Sequence, residues 1–180
     1  MQVHSCEVLI VGAGPAGCAA AITAKRLGLD VIVVDKATFP RDKCCGDGLT
    51  TLALRELEHL GVNPATTQSW LEISDICLRS PQGREIRLRL PQHQGQYAAV
   101  VERRELDAEL VRVALGLGVQ VCQGAAFERI DLDDDCARIW LQDGTTISAK
   151  NVIAADGMWS PVRKALGCTP IGYRLSLIHI

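Results

Sequence analysis

The feature that most constrains this fold is a glycine-rich turn near the amino terminus, Gly12-Ala-Gly14-Pro-Ala-Gly17. It follows an apolar run rich in β-branched residues, Cys6–Val11, and precedes an alanine-rich stretch that continues to Leu27. In such a unit the first glycine permits a tight bend, the second lets a ligand approach the backbone, and the third lets the helix pack against the strand. The sequence therefore predicts a strand, a ligand-contacting turn and a helix.

The residues after this turn predict a second strand, which completes a βαβ unit. Gly28 ends the helix, Val31–Val34 is a buried strand, and Asp35, followed by Lys36, lies at its carboxyl end. An acid at this position accepts hydrogen bonds from the ribose hydroxyls of a dinucleotide. The amino end of the helix, at Pro15 and Ala16, favours a pyrophosphate through its N–H groups and partial positive charge. This context favours a dinucleotide site over a purely structural turn.

The next part of the chain predicts a loop, a helix and a small antiparallel layer. The loop covers Thr38–Leu49, and the helix covers residues 50–60 and ends at Gly61. Between residues 73 and 101 the pattern changes to short strands, with Ile76–Arg79 and Ile86–Leu90 on either side of a turn at Pro81–Arg84. The apolar residues of the helix are Leu52, Leu54, Leu57 and Leu60.

The second half of the chain predicts a return to the main sheet. A helix over Arg103–Leu117 ends at Gly118, and the strand Val119–Cys122 follows. Three further strands predict a β-meander inserted into a Rossmann-like core, and Asn151–Ala155 then rejoins the parallel sheet. The helix is expected to bury Leu106, Leu110, Val113 and Leu117, and the meander strands are Ala126–Leu132, Ala137–Leu141 and Thr145–Ser148, with turns at residues 133–135 and 142–144. The fold class is therefore α/β.

Composition excludes several classes of function. The net charge is −2, and the 19 basic residues are scattered, so no electrostatic footprint for nucleic acid is present. The eight cysteines fall singly in apolar runs apart from Cys44-Cys45, and no signal peptide precedes them, which is typical of cytosolic thiols. No metal site is predicted, because there is no C-x-x-C pair and the four histidines, His4, His59, His93 and His179, share no ligand spacing.

Two later segments distinguish FAD from NAD. Val101-x-Arg103-x-x-Leu106-Asp107 and Ala155-Asp156-Gly157-x-x-Ser160-x-Val162-Arg163 resemble the FAD-dependent group that includes aromatic hydroxylases, halogenases and prenyl reductases. The resemblance implies that Arg103 lies near the cofactor's pyrophosphate and that the Asp156-Gly157 turn contacts the cofactor. Alternatively, Arg103 is an exposed helix-start residue beside Arg104, and Asp156 is a plain turn acid. The place of Asp156 at the carboxyl end of a parallel strand favours the ligand role.

A third segment narrows the resemblance. Pro40-Arg-Asp-Lys-Cys-Cys-Gly-Asp-Gly-Leu-Thr50 is similar to a loop of geranylgeranyl reductase-type flavoproteins, which include bacterial menaquinone reductases. The resemblance implies an enzyme that saturates isoprenoid double bonds with a hydride from reduced flavin and a proton, with NAD(P)H as a candidate electron donor. It also implies that Cys45 lies near the flavin, as a candidate catalytic thiol.

The residues of this loop fit a position beside a cofactor on physical grounds. Gly46 and Gly48 allow a close approach to a flat ring, and Arg41 and Lys43 are able to face phosphate or an anionic flavin. The alternative is a surface loop with solvated charges. Only Lys43 and Arg41 are near enough in sequence to lower the pKa of Cys45 and so activate its thiol.

The last six residues, Leu175-Ser-Leu-Ile-His-Ile180, match one reading frame of a widely used transposase sequencing adapter. We therefore expect residues 1–174 to be an incomplete FAD-binding domain, with the start of the substrate-layer strands near residues 73–101, and residues 175–180 to be non-native. The lipid pocket and a later cofactor-binding motif are expected downstream. A natural terminal strand is the alternative.

Three functions remain open at this point. The first is a prenyl-chain reductase, acting on an isoprenoid or other hydrophobic small molecule, in the cytoplasm with peripheral contact at the inner membrane face. The second is an FAD-dependent aromatic monooxygenase, which activates oxygen on the same cofactor. The third is a nucleotide-binding module or degraded reading frame without catalysis. The Lys43–Leu49 loop favours the first.

Overall fold

The computed structural model describes residues 3–91 and 98–168. The adapter-like residues 175–180, together with His93 and His179, lie outside the described residues. The chain divides into two compact units, Met1–Arg41 with Asp107–Ile180, and Asp42–Leu106. The glycine turn belongs to the first unit, and the Cys44-Cys45 loop belongs to the second.

The described residues contain eleven strands and four α-helices. In the described residues the elements are β1 Val3–Val11, α1 Pro15–Arg26, β2 Val31–Asp35, β3 Gly48–Thr50, α2 Thr51–Leu60, β4 Leu71–Glu72, β5 Asp75–Arg79, β6 Glu85–Arg89, β7 Ala98–Val100, α3 Arg103–Gly116, β8 Gln120–Gln123, β9 Phe127–Leu132, β10 Ala137–Leu141, β11 Thr146–Ala154 and α4 Pro161–Ala165. A single 3₁₀ turn, Pro64–Thr66, follows α2.

The first unit is organised by a six-stranded sheet of order β8-β2-β1-β11-β10-β9. Its first four strands are parallel, and β10 and β9 are antiparallel. The second half of β1, Val8–Val11, and Val31–Val34 of β2 are continuously apolar and buried, which is expected of parallel strands covered on both faces. The core cluster joins both halves of the sheet, with Leu9, Val34, Ile139, Leu141 and Ile147 as its most enclosed members. The predicted α/β class with a parallel sheet is confirmed.

One expectation about the meander is wrong. Residues 145–148 and 151–155 were expected to form two strands, but a single strand, β11, covers Thr146–Ala154 and pairs with β1 from Val3 to Val11. The connecting residues contain no glycine or proline to interrupt pairing, and Ala149 is buried. The meander therefore shares its last strand with the parallel sheet and is not separated from it.

The buried face of α3 differs from the expected one. Leu106 and Leu110 are buried, but Leu117 is 39% exposed because the helix ends at Gly116. The remaining buried positions of this helix include Asp107, Val111 and Ala114. A carboxylate thus occupies a place on the buried face that an apolar pattern does not reveal.

The second unit holds two small sheets where one antiparallel layer was expected. The strands β3, β7 and β4 form a three-stranded antiparallel sheet, and β5 and β6 form a separate hairpin. The loop predicted over Thr38–Leu49 is shorter, because β3 begins at Gly48. The predicted hairpin turn is confirmed, with Gly83 N–H donating to Ser80 O at 2.9 Å.

Helix α2 begins and ends as the sequence predicts. The Thr50 hydroxyl accepts a hydrogen bond from Ala53 N–H at 3.4 Å, and Gly61 ends the helix in the left-handed conformation. Of its four leucines, Leu57 is buried, Leu54 and Leu60 are half-buried and Leu52 is 67% exposed.

Candidate cofactor site

At Gly12 and Gly17 the backbone of the turn is packed so closely that a side chain would not fit. Gly12 has φ +105°, and a Cβ atom there would overlap the carbonyl group of Ala155. A Cβ atom on Gly17 would overlap the carbonyl oxygen of Gly12. The first glycine thus allows the end of β11 to reach the turn, and the third allows α1 to pack on it, as the motif predicts.

The amino end of α1 has no side-chain cap. Its N-cap residue is Gly14, Pro15 occupies the first helical position, and the first turn contains no acidic residue. Helix N–H groups at such an end attract an anion, and the aligned backbone dipoles add a partial positive charge. This 12-residue helix can therefore receive a phosphate group without help from a capping side chain.

Asp35 connects the end of β2 to the glycine turn. Its Oδ2 accepts a hydrogen bond from Ala13 N–H at 2.7 Å, and its Oδ1 accepts one from Ala37 N–H at 2.8 Å. A carboxylate oxygen accepts more than one hydrogen bond, so both oxygens keep capacity for ribose hydroxyls. The contact with Ala13 was not anticipated from the sequence, because it depends on how the turn folds back on β2.

Asp156 lies two residues after the end of β11 and contacts the amino end of the short helix α4, whose N-cap is Ser160. Its Oδ2 accepts a hydrogen bond from Val162 N–H at 3.0 Å, and Gly157 follows with φ +87°. Its Oδ1 is buried and has no hydrogen-bond partner among the described residues. A buried acceptor without a donor is unfavourable in a protein, so this atom fits a site completed by a bound group.

A cavity of about 80 Å³ lies at the carboxyl ends of β1 and β2. Gly12, Asp35, Lys36 and Asp156 line it together. Ligands of open α/β sheets bind at this edge. The cavity wall also includes five residues that were not predicted as site residues: Val11, Val34, Ala125, Phe127 and Pro161. Position 127 sits at the start of an antiparallel strand, so only the three-dimensional fold brings it here.

Arg41 lies beside the turn and is paired with a buried acid. Its Nη1 forms an ion pair with Asp107 Oδ2 at 2.9 Å and has no hydrogen-bond partner among the described residues. Its guanidinium carbon is 4.8 Å from the centre of the Phe39 ring. A Cβ atom on Gly14 would lie 3.6 Å from Arg41 Nη2. Sequence patterns did not suggest the pairing, since 66 residues separate the two partners.

The thiol of Cys18 is buried beneath this turn. It donates a hydrogen bond to Ala13 O at 3.3 Å. The pKa of Cys18 is raised to about 12, chiefly by burial and also by the negative charges of Asp107 and Asp35, while Arg41 lowers it. The thiol is therefore neutral at physiological pH and serves as a hydrogen-bond donor in the turn.

The remaining predicted residues lie in the second unit. Lys43, Cys45 and Gly46 are exposed in the loop that leads to β3. Arg103 is the first residue of α3 and is half-buried, whereas Arg104 is exposed. The structure thus brings together Gly12, Asp35, Lys36 and Asp156 of the first unit, and the ligand-binding roles of all the predicted residues, in both units, stay predictions.

The described residues hold neither a metal-binding cluster nor a membrane-spanning helix. Residues 3–91 and 98–168 contain no cluster of three or more histidine, cysteine or acidic side chains that could hold a metal ion. None of the helices within those same ranges has the length and apolar character needed to cross a membrane.

The turn, the acid after β2 and the Asp-Gly turn after β11 together define a dinucleotide-binding site of the Rossmann-like class. The model of the FAD binding domain family matches residues 5–176. The chain belongs to this family. FAD is the cofactor of this family, as the segments that contain Arg103 and Asp156 predicted.

Curated relatives include reductases and a hydroxylase. The chain is 41% identical over 169 residues to the menaquinone reductase of Mycobacterium tuberculosis (strain CDC 1551 / Oshkosh), covering 91% of this chain and 40% of the relative. It is 34% identical over 169 residues to digeranylgeranylglycerophospholipid reductase 2 of Methanopyrus kandleri, with the same coverage of 91% and 40%. Hispidin-3-hydroxylase of Neonothopanus nambi is 31% identical over 171 residues, with coverage of 89% and 40%. The chain thus spans about two fifths of the length of these relatives.

A solved structure supports the same fold. The geranylgeranyl bacteriochlorophyll reductase-like protein of Thermoplasma acidophilum superposes with a TM-score of 0.79 at 25% identity, covering 92% of this chain and 43% of that chain. The resemblance to geranylgeranyl reductase-type flavoproteins, predicted from the Pro40–Thr50 loop, is confirmed by this match and by the two reductase relatives.

Proposed function

We propose that the full-length protein is an FAD-dependent reductase that saturates a carbon–carbon double bond of an isoprenoid-bearing lipid. The observation that carries this proposal is the 41% identity to a menaquinone reductase over 91% of the chain. A second reductase relative is named for another lipid that bears geranylgeranyl chains. The substrate class shared by both names is a hydrophobic molecule with a polyprenyl chain.

The residues of the first unit have defined tasks in holding the cofactor. The amino end of α1 and the backbone at Gly14 receive the pyrophosphate, and Asp35 accepts hydrogen bonds from the ribose of the adenosine half. Lys36 offers a positive charge at the same cavity. Asp156 Oδ1, which has no donor among the described residues, accepts a hydrogen bond from the bound cofactor. Once reduced, bound FAD supplies the hydride, and a proton completes the second carbon of the saturated bond.

The second-unit loop supplies the further candidates. Cys45 and Gly46 are proposed to lie next to the flavin, and Arg103 to contact the pyrophosphate, as the family resemblance implies. Both proposals rest on the match of the Pro40–Thr50 segment and of the Val101–Asp107 segment to the family. The exposure of Cys45 permits a ligand to reach it. NAD(P)H is the proposed electron donor, and contact with the cytoplasmic membrane surface follows from the low solubility of the substrate.

The experiment uses the full-length protein loaded with FAD, under anaerobic conditions, with NADPH or NADH and menaquinone in detergent micelles. We expect reoxidation of the reduced flavin on addition of menaquinone and a product that carries two additional hydrogen atoms in its prenyl chain, detected by mass spectrometry. A companion variant is Asp156→Asn, which replaces one of the two acceptor oxygens at the cofactor cavity with an NH₂ donor and is therefore expected to weaken FAD retention. Failure to reoxidise the flavin with any polyprenyl substrate would contradict the proposal.

A monooxygenase is the second candidate, because hispidin-3-hydroxylase is 31% identical to this chain. The requirement for oxygen distinguishes the reductase from the monooxygenase. A reductase turns over without oxygen, whereas a monooxygenase consumes one molecule of oxygen for each NAD(P)H and leaves a hydroxylated aromatic product. Oxygen uptake that depends on an aromatic substrate would replace the first proposal with this one.

The 180-residue chain by itself is expected to have no turnover, because it spans about two fifths of its relatives and the lipid pocket is proposed to lie in the remainder. We expect weak FAD binding, which absorbance of the purified chain near the flavin band measures. Stoichiometric yellow protein with reductase activity would contradict this expectation. A chain that binds neither FAD nor ADP would support the third alternative in its degraded-reading-frame form.

A further inference from the structure

The carboxylate of Asp107 is completely buried, although it lies outside the glycine motif and the Asp-Gly turn. Its side chain is 0% exposed on the inner face of α3. An ionised carboxylate is costly to remove from water unless a cation or several donors accompany it. The cation beside it is Arg41, whose Nη1 is 2.9 Å from Asp107 Oδ2.

Arg41 is restrained on three sides. One end of its guanidinium meets Asp107, and the plane lies against the Phe39 ring at 4.8 Å. The backbone of that ring residue is fixed in turn, because Phe39 N–H donates to Gln123 Oε1 at 2.7 Å. The other end, Nη2, lies beside Gly14 at the amino end of α1. The side chain remains 20% exposed, so it is accessible to a ligand bound at the turn.

We propose that Asp107 is a positioning residue that holds Arg41 beside the pyrophosphate-binding turn. The inference rests on the proposed FAD site and adds to it a residue that does not touch the cofactor. An unrestrained arginine loses rotamer freedom when it binds phosphate, and that loss weakens binding. Asp107 and Phe39 fix the guanidinium in advance, so the charge-assisted contact to the pyrophosphate forms with little further ordering.

A purely structural role makes a different prediction. If Asp107 only balanced a buried charge, its loss would disturb the turn as a whole and weaken every ligand of the site in parallel. If it positions Arg41, its loss weakens only ligands that carry a pyrophosphate, and only when Arg41 is present. ADP and adenosine separate the two cases, because they share the adenosine half and differ in the phosphates.

The test measures binding of ADP and adenosine to the 180-residue chain by isothermal titration calorimetry at fixed ionic strength. The variants are Asp107→Asn, Arg41→Gln and the double variant. We expect D107N to weaken ADP binding about tenfold and to leave adenosine binding unchanged. In the R41Q background, D107N is expected to have no further effect on ADP. Equal losses for ADP and adenosine, or the same loss with and without Arg41, would overturn the inference.

Folding of the variants is checked by circular dichroism and thermal melting without ligand. If D107N does not fold, D107E keeps the charge and moves it by one methylene, and a selective loss of ADP affinity is expected again. If R41Q leaves ADP binding unchanged, the inference fails whatever Asp107 does. A wild-type chain that binds ADP, in a full-length protein without reductase activity, contradicts the proposed function but not the role of Asp107.

Discussion

The glycine turn of the first unit and the β5–β6 hairpin of the second differ in how their side chains are used. At the turn, Gly12, Ala13 and Gly17 are buried, and each is in contact with another part of the first unit. In the hairpin every residue is exposed, although its strands pair in regular register from Asp75–Arg89 to Arg79–Glu85. The two regions are equally regular in backbone and opposite in burial.

The hairpin shows what a strand pattern does not determine. One face carries the polar residues, with Arg79 and Glu85 in an ion pair of 2.7 Å, and the other face carries the apolar ones. Alternation with a period of two predicts such strands whether or not their apolar face is covered. The exposed apolar residues are Ile76, Leu78, Ile86 and Leu88. Substitutions should therefore have large effects at the turn, and small effects in the hairpin and in the Cys44-Cys45 loop of the second unit.

The largest expected difference comes from adding one methyl group in each unit. Gly17→Ala places a Cβ atom on the Gly12 carbonyl, which is rigid backbone, so the turn must open. We expect a loss of about 4 kcal/mol in the free energy of unfolding, together with loss of ADP binding. Gly46→Ala is the matched control, because a Cβ atom there meets nothing within 4 Å. Urea unfolding monitored by circular dichroism measures both, and equal effects of the two substitutions would contradict the comparison.

A smaller difference is expected from truncating one isoleucine in each unit. Ile139 is 0% exposed in the core of the first unit, whereas Ile86 is 61% exposed in the hairpin. We expect Ile139→Ala to lower the free energy of unfolding by about 3 kcal/mol through lost burial and a cavity. Ile86→Ala should change it by less than about 0.5 kcal/mol. A loss of several kcal/mol from Ile86→Ala would show that the apolar hairpin face is covered in solution.

The sequence predicted the elements of the first unit because their signals are local. The spacing of Gly12, Gly14 and Gly17 defines a turn, and the buried run before Asp35 defines a strand. The same reasoning failed where strand breaks had to be placed, since the polar residues Ser148, Lys150 and Asn151 look like a boundary. They are instead the middle of β11.

The site itself was predictable only in part. Asp35 and Asp156 follow strands whose carboxyl ends meet at one edge, so their convergence follows from topology. The Arg41–Asp107 pair and the place of Phe127 in the cavity wall depend on long-range packing. No pattern of neighbouring residues carries that information. Asp107 is an example, because the apolar pattern of its helix predicted only leucine and valine side chains on the buried face.

Alkaline pH should act on the first unit through Cys18. Its pKa rises from 9.0 to about 12 on folding, chiefly through burial, so between these values the folded chain holds a proton that the unfolded chain has lost. The stability contribution of the protonated thiol is complete below pH 9 and decreases as the pH rises toward 12, with a slope of at most about 1.4 kcal/mol per pH unit. Cys18→Ala should reduce this slope, as urea unfolding at pH 8, 9 and 10 would measure. Cys6, whose pKa is raised to about 11, adds to the slope in both proteins. Cys45→Ala is the control, and equal slopes for the wild type and C18A would contradict the assignment.

Thiol labelling compares the two units directly without changing the free energy of unfolding. Cys18 and Cys6 are buried, whereas Cys44, Cys45 and Cys77 of the second unit are exposed. A thiol reacts as the thiolate and only where the reagent has access, so at pH 8 the native chain should react quickly with Ellman's reagent at exposed thiols and not at Cys18. Denaturation in urea should make Cys18 react at the rate of the others. Mass spectrometry of labelled peptides identifies each site. If FAD slows labelling of Cys45 in the full-length protein while that of Cys77 stays constant, the proposed place of Cys45 next to the flavin gains support. If ADP and FAD both leave the rate at Cys45 unchanged in the full-length protein, that placement is wrong, and the loop is a solvated surface segment.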